Sequence, residues 1–353
     1  MRTLIWVVMF LCGLSSSVTA ASFPGGILDS TGRTAYLVSE GGIDAVDLLR
    51  GERLWKSREA QLPLLVAADR LYALGFFQGP RFSVVAFDLA SKAERVFRTE
   101  VTDLPRWVNT RGGAGQSFHC RWEQSGRFLL LDWEARADAG TGPSKQVAGQ
   151  VRINLETGRV ETVPVAIKAP RPTDPLPRQL EKKAIRWQGR AGGQILAVVA
   201  EELPESTLTR RQERLVLRAW DARTGREAPA RELMRGGRPT VLLDLDGKHL
   251  WLRDALSGED VFTPGPWSVV SVLDGHLVAR VPFLAGTQVA TLIGSRAYLL
   301  SASVEKKAFG QKPPGRQVDL HALDLDAGGL VWKHHLGALG SEQSRAASGA
   351  PAR

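Results

Sequence analysis

Six histidines, two cysteines and several paired carboxylates are the residues of this 353-residue chain equipped for metal, nucleophilic or acid–base chemistry. Adjacent residues on a strand point to opposite faces, so His334 and His335 would not chelate together. His119, His249, His276 and His321 stand far apart, and no spacing among them resembles a zinc site. Glu201 and Glu202 should alternate faces, whereas Asp244 and Asp246 would share one. The latter pair precedes Gly247, where a β-turn role accounts for it better than acid–base work or cation binding. Glycine clusters at 112–115, 192–193 and 236–237 lack the strand–loop–helix setting of a phosphate loop, and there is no G-x-S-x-G elbow. These residues give no basis for a catalytic, cofactor-binding or metal assignment.

The N-terminus explains one cysteine. Arg2, the apolar run Leu4 to Leu14 and the small residues Val18-Thr19-Ala20 form a secretory signal with cleavage expected after Ala20. The run is shorter than the roughly 20 residues that span a bilayer. Cys12 lies within it, so the exported chain keeps Cys120 alone, which cannot form an internal disulfide and suits a small apolar strand position. The expected location is periplasmic or secreted. A net charge of +9 favours an anionic surface or polymer as partner, or reflects an arginine-rich proteome. Export argues against nucleic acid.

Whatever these residues do, short strands must position them. From Gly25 onward, apolar runs alternate with turn residues and no helical period appears. Ala45, Asp47, Gly51 and Trp55 stand at offsets 0, 2, 6 and 10, and the same types recur at the same offsets in Ala322, Asp324, Gly328 and Trp332. Partial copies lie between: Ala86 and Asp88 with Lys92 in the glycine position, Asn154 with Gly158, and Ala219 and Asp221 with Gly225. A unit of four strands recurring about every 40–50 residues is the mark of a β-propeller blade. Six blades fill residues 21–338, with a seventh as the alternative, and 339–353 reads as a disordered tail. The fifth unit has two phasings, one with Gly275 in its c–d turn and one with Asp254, Gly258 and Phe262 in the motif positions. Each motif residue has a packing reason. Alanine lets sheets approach, glycine supplies positive φ, aspartate accepts from turn amides, and tryptophan spans the gap between blades.

This repeat resembles the tryptophan-docking motif of the quinoprotein-dehydrogenase-like propellers, also called PQQ-like repeats, and the resemblance covers about residues 25–336. It implies a fold more than an activity, since many such propellers carry no quinone and act as protein scaffolds. The quinone-dependent members are expected to have about eight blades and, in alcohol-oxidising members, adjacent cysteines over the cofactor. With six units and one exported cysteine, this chain is expected to be of the non-enzymatic type and to hold no cofactor.

Irregular sequence marks the expected binding face. In a four-stranded antiparallel blade the b–c loops and d-to-a connectors emerge at one end. Insertions at 136–149, 204–213 and 305–316 and connectors at 101–116 and 164–183 therefore share it. That face would present Arg106, Arg111, Lys182, Lys183, Arg210, Arg211, Lys306, Lys307, Lys312 and Arg316. The reading is a monomeric, exported binding or scaffold propeller whose partner is an envelope protein or an anionic polymer or lipid surface. The alternatives are a polysaccharide hydrolase or lyase with its site at the axial funnel, and a purely structural repeat protein.

Overall fold

The computed structural model describes residues 22–67, 69–75, 81–101, 116–137, 145–163, 184–207, 212–244, 247–254, 265–304 and 316–339. They form six antiparallel sheets, each made of consecutive strands, and the architecture is a β-propeller. Blade 1 holds β1 (Ser22–Phe23), β2 (Gly26–Leu28), β3 (Thr34–Ser39), β4 (Gly42–Asp47) and β5 (Arg53–Ser57). Blade 2 holds β6 (Ala60–Ala67), β7 (Arg70–Gly75), β8 (Phe82–Asp88) and β9 (Glu94–Val101). Blade 3 holds β10 (Gln116–Ser125), β11 (Phe128–Ala137), β12 (Lys145–Asn154) and β13 (Val160–Val163). Blade 4 holds β14 (Ala184–Ala191), β15 (Gln194–Glu202), β16 (Glu213–Asp221) and β17 (Arg231–Gly236). Blade 5 holds β18 (Pro239–Leu243), β19 (His249–Asp254), β20 (Trp267–Ser271) and β21 (Leu277–Val281). Blade 6 holds β22 (Thr287–Ile293), β23 (Arg296–Val304), β24 (Arg316–Asp324) and β25 (Gly329–Leu339). The signal segment, the tail from 340 and the connector at 164–183 lie outside the described residues.

Three details differ from the sequence expectation. In blade 5, Asp254 ends strand β19, and the c–d turn is the one with Gly275 (φ 65°). The stretch from 136 to 149 is in part ladder, because β11 and β12 stay paired out to Ala137 and Lys145. In blade 2 the counterpart of Gly51 is Ala93 rather than Lys92. Gly51 N–H donates to Asp47 O, while Ala93 N–H donates to Asp88 O across a turn one residue longer. Both Lys92 (φ 58°) and Ala93 (φ 74°) sit in the left-handed region, which costs a residue with a Cβ roughly 1 kcal/mol or more.

The motif works between blades. Asp47 Oδ1 accepts from Leu49 and Arg50 N–H at 2.7 and 3.2 Å, and Asp324 Oδ1 accepts from Asp326 and Ala327 N–H at 2.9 Å, which ties down each c–d turn. Ala45 pairs with Trp55 and Ala322 with Trp332, so alanine and tryptophan are cross-strand partners. Trp332 of the last blade reaches the first blade. Its indole N–H donates to Leu48 O at 3.1 Å, and its ring lies where a Cβ on Gly51 would come within 2.5 Å. Phe97 of blade 2 meets Gly158 of blade 3 in the same way, at 2.7 Å from the would-be Cβ, and Leu233 of blade 4 meets Gly275 of blade 5 at 2.6 Å. Phe97 is the residue paired with Ala86; the longer turn moves it one position past the expected offset.

Apolar clusters join blade 1 to 2, blade 2 to 3, blade 4 to 5, blade 5 to 6 and blade 6 to 1. The last closes the ring through Phe23, Leu37, Tyr298, Leu300, Trp332 and Leu336. Among the described residues no such cluster joins blade 3 to blade 4.

Candidate functional site

Consecutive antiparallel pairing places all b–c hairpins and d-to-a passages at one end of the propeller and the motif turns at the other. The strand ends from which residues 76–80, 102–115, 138–144, 164–183, 208–211, 255–264 and 305–315 leave all lie at the former end. Arg106, Arg111, Lys182, Lys183, Arg210, Arg211, Lys306, Lys307 and Lys312 belong to those segments and fall outside the described residues; Arg316 opens β24 at the same end.

A charged cleft of about 480 Å³ opens between blades 1 and 6 at this end, lined by Glu40, Asp44, Arg53, Lys56, Arg58 and His335 with Gly41, Leu336 and Gly337. Its floor is Asp44, 1 % exposed, placed two residues into β4 by the Glu40-Gly41 hairpin. Ser39 Oγ donates to Asp44 Oδ1 at 2.8 Å, His334 Nε2 lies 3.3 Å from Oδ2, and Arg53 and Lys56 approach at 3.7 and 3.6 Å. Burial pushes the Asp44 carboxyl up, but the hydrogen bonds from His334 and Ser39 and the two cations outweigh it and hold the group below its ordinary range. His334 is anchored on its other nitrogen as well, with Nδ1 3.3 Å from Gly51 O.

Within blade 6, Asp319 binds Lys333 at 2.8 Å and His335 at 2.8 Å. Burial again works against ionisation of Asp319, and the Lys333 and His335 hydrogen bonds prevail to lower it. Ser301 Oγ sits 2.9 Å from His321 Nε2. Burial lowers the His321 pKa, Lys333 adds to this, and Asp319 opposes it.

None of this makes an activated nucleophile. Ser39 donates to the carboxylate rather than to a histidine, and both His334 nitrogens are engaged. Ser301 and His321 are 7 % and 6 % exposed, and no carboxylate orients His321 through Nδ1 among the described residues. No group of three or more His, Cys, Asp or Glu side chains is arranged to hold a metal among the described residues. Cys120 packs beside the blade 2–3 core, and burial pushes its thiol up to about 12, far from the thiolate a reactive cysteine needs. The cleft offers charge complementarity instead. Lys56 is committed to Asp44 and to Glu40 O at 2.7 Å, while Arg58 is exposed and forms no ion pair among the described residues.

No model of a known protein family matches the chain, and no curated protein matches it. Solved structures similar to it share little sequence. A dihydro-heme d1 dehydrogenase, NirN, in complex with DHE is 12 % identical, with 93 % of this chain and 69 % of that chain covered and a TM-score of 0.33. TolB from Acinetobacter baumannii is 13 % identical, with 90 % and 66 % covered and a TM-score of 0.32. KlHsv2, with its loop 6CD replaced by a Gly-Ser linker, is 7 % identical, with 86 % and 93 % covered and a TM-score of 0.31.

The sequence reading placed the binding face at the b–c end but missed Asp44, His334 and Asp319. Asp44 and His334 are 290 residues apart in the chain. Their only sequence signal was a charged or imidazole side chain inside an otherwise apolar strand, GIDAVD and LVWKHHL.

Proposed function

We propose that this chain is an exported, non-catalytic propeller of the quinoprotein-dehydrogenase-like repeat type that binds an anionic envelope partner through its b–c end. The supporting observation is the split between the two ends. At the c–d end, Asp, Gly and Trp are consumed by turn and inter-blade contacts. At the b–c end lie the open cleft with Arg58 and the attachment points of the segments rich in Lys and Arg. Loops on a fixed scaffold are where function concentrates, and a surplus of Lys and Arg on them favours an anionic partner.

The test is retention of the exported chain on anionic phospholipid vesicles and on an immobilised polyuronate, with neutral vesicles and neutral polysaccharide as controls. Charge reversal at Lys306, Lys307 and Arg316, with Arg58→Glu as a second variant, should weaken retention at least about tenfold and reduce its salt dependence. Unchanged retention of both variants on every anionic matrix, together with an unchanged set of cross-linked envelope proteins in the host, overturns the reading.

A further inference from the structure

Among the described residues, every large hydrophobic side chain left exposed lies in a c–d turn or within the first three residues of a d strand. Leu49 and Leu54 stand there in blade 1, Val96 in blade 2, Leu273, Leu277 and Val278 in blade 5, and Leu330 and Val331 in blade 6. Blades 5, 6, 1 and 2 follow one another round the ring, joined by apolar clusters, and blades 3 and 4 contribute none.

A backbone device holds four of these side chains out. In each of the four blades the c–d ladder skips one residue of strand d, opposite Ala45 and Val46, Ala86 and Phe87, Val269 and Val270, and Ala322 and Leu323. The skipped residues are Leu54, Val96, Val278 and Val331, all between 40 and 50 % exposed. Blade 3 has no bulge in this ladder, and the one in blade 4 falls at Leu233, which packs on Gly275. A bulge alone, or a charge, protects an edge strand from stray pairing; a leucine or valine held in water in four consecutive blades adds nothing to that protection.

The contacts between blades turn these positions into a belt. Trp332 seats on Gly51 and donates to Leu48 O, which sets its neighbour Val331 beside the turn that carries Leu49. Trp55 packs with Leu89 and Ala93 of the next turn, so Leu54 leads on toward Val96. A contiguous apolar surface of this kind marks a site of protein or membrane interaction.

Charge selects between those two. Residues 49–54, 92–98, 273–280 and 326–333 hold seven Lys and Arg against four Asp and Glu, a net charge of +3. Arg50, Lys92, Arg98 and Arg280 are exposed and form no ion pair among the described residues. A second copy of the chain would set +3 against +3, and an anionic polymer has no use for leucine. A bilayer of anionic lipid meets both features, with acyl chains for the apolar residues and phosphates for the cations.

We propose that the c–d rim of blades 5, 6, 1 and 2 docks on the surface of an anionic lipid bilayer. Leucines and valines enter the headgroup boundary, the arginines meet phosphates, and the chain lies on the membrane without crossing it. The b–c end then faces away from the bilayer. The rim does not depend on the b–c segments, and its test is separate from theirs.

The exported chain is floated with vesicles of phosphatidylglycerol and phosphatidylethanolamine, with phosphatidylcholine vesicles and an immobilised polyuronate as comparisons. Binding to the anionic vesicles should survive in part at 1 M salt, where the Debye length is about 3 Å and charge attraction is screened. The triple variant Leu49→Ser, Leu273→Ser, Leu330→Ser changes exposed side chains only, so it should keep the melting temperature. It should bind those vesicles at least about tenfold more weakly and lose the salt-resistant part. Its retention on the polyuronate should not change, because that matrix reads charge alone, so this proposal and the b–c reading fail separately. Arg50→Glu with Arg280→Glu should weaken vesicle binding at least about fivefold at low salt and spare the salt-resistant part. No vesicle binding, equal binding to phosphatidylcholine, or equal binding of the triple variant overturns the proposal. So does a concentration-dependent dimer that the triple variant abolishes, because a second copy would then cover the rim.

Discussion

The closing junction, blade 6 against blade 1, and the surfaces that blade 3 turns away from blade 2 and blade 4 turns away from blade 5 are built on opposite principles. At the first, Trp332 seats on Gly51, Tyr298 packs against Phe23 with ring centres 5.1 Å apart, and Arg296 donates to Leu48 and Leu49 carbonyls at 3.1 and 3.2 Å. At the second, nothing lies within 4 Å of a Cβ built on Gly225. The face of blade 4 turned away from blade 5 has a small apolar centre of Ala197, Val199 and Trp220, bordered by Glu201 with Arg214 and Arg218 at 2.9 and 2.8 Å. The face of blade 3 turned away from blade 2 carries Arg127 and Arg152 over Phe128, and an exposed hydrogen bond between Gln150 and Asp132. Ring closure, where the first and last sheets meet, is stabilised by apolar burial that water and salt do not screen. The ion pairs of Glu201 are internal to blade 4 and join it to no other blade, and ion pairs with solvent access contribute roughly 0–1 kcal/mol each.

That contrast can be broken by substitution. Trp332→Ala should have the largest effect, a loss of about 3–5 kcal/mol in denaturant-induced unfolding, since it empties part of the closing cluster and removes one of the two donors to the Leu48 carbonyl. Gly51→Ala should cost about 1–3 kcal/mol through the clash with the Trp332 ring and the φ of 74°. Glu201→Gln should cost only about 1 kcal/mol, and a loss matching that of Trp332→Ala would end the distinction between the closing junction and the charged face of blade 4.

Ala93→Gly should work in the other direction, raising stability by up to about 1 kcal/mol, because it relieves a left-handed backbone at the counterpart of Gly51. The smallest effect concerns pH. Asp44 is held below the unfolded carboxylate value of about 3.9, so the folded chain binds fewer protons than the unfolded one as pH falls past it. The stability it contributes is fully present above that value and is lost as pH falls through the lower folded pKa. Unfolding monitored through the Trp332 region should therefore show an acid slope below about pH 4 that Asp44→Asn reduces. An unchanged slope would place the acid sensitivity outside the closing junction.

Apolar runs and the repeat spacing located most strands of the six sheets, because each blade is a local meander whose turn chemistry is written within about ten consecutive residues, while the phasing of the fifth unit stayed open. It also assigned the roles of Asp47 and Gly51, whose partners lie in their own hairpin or in the same motif of the next blade. Tertiary structure decided what was paired across the ring. Trp332 meets Gly51 and His334 meets Asp44, both depending on the circular order that brings the last sheet beside the first. A two-residue period states which face a side chain takes. It carries no record of what stands opposite, so the motif was legible at its own turn, while the cleft at Asp44 appeared only once the sheets were set against one another.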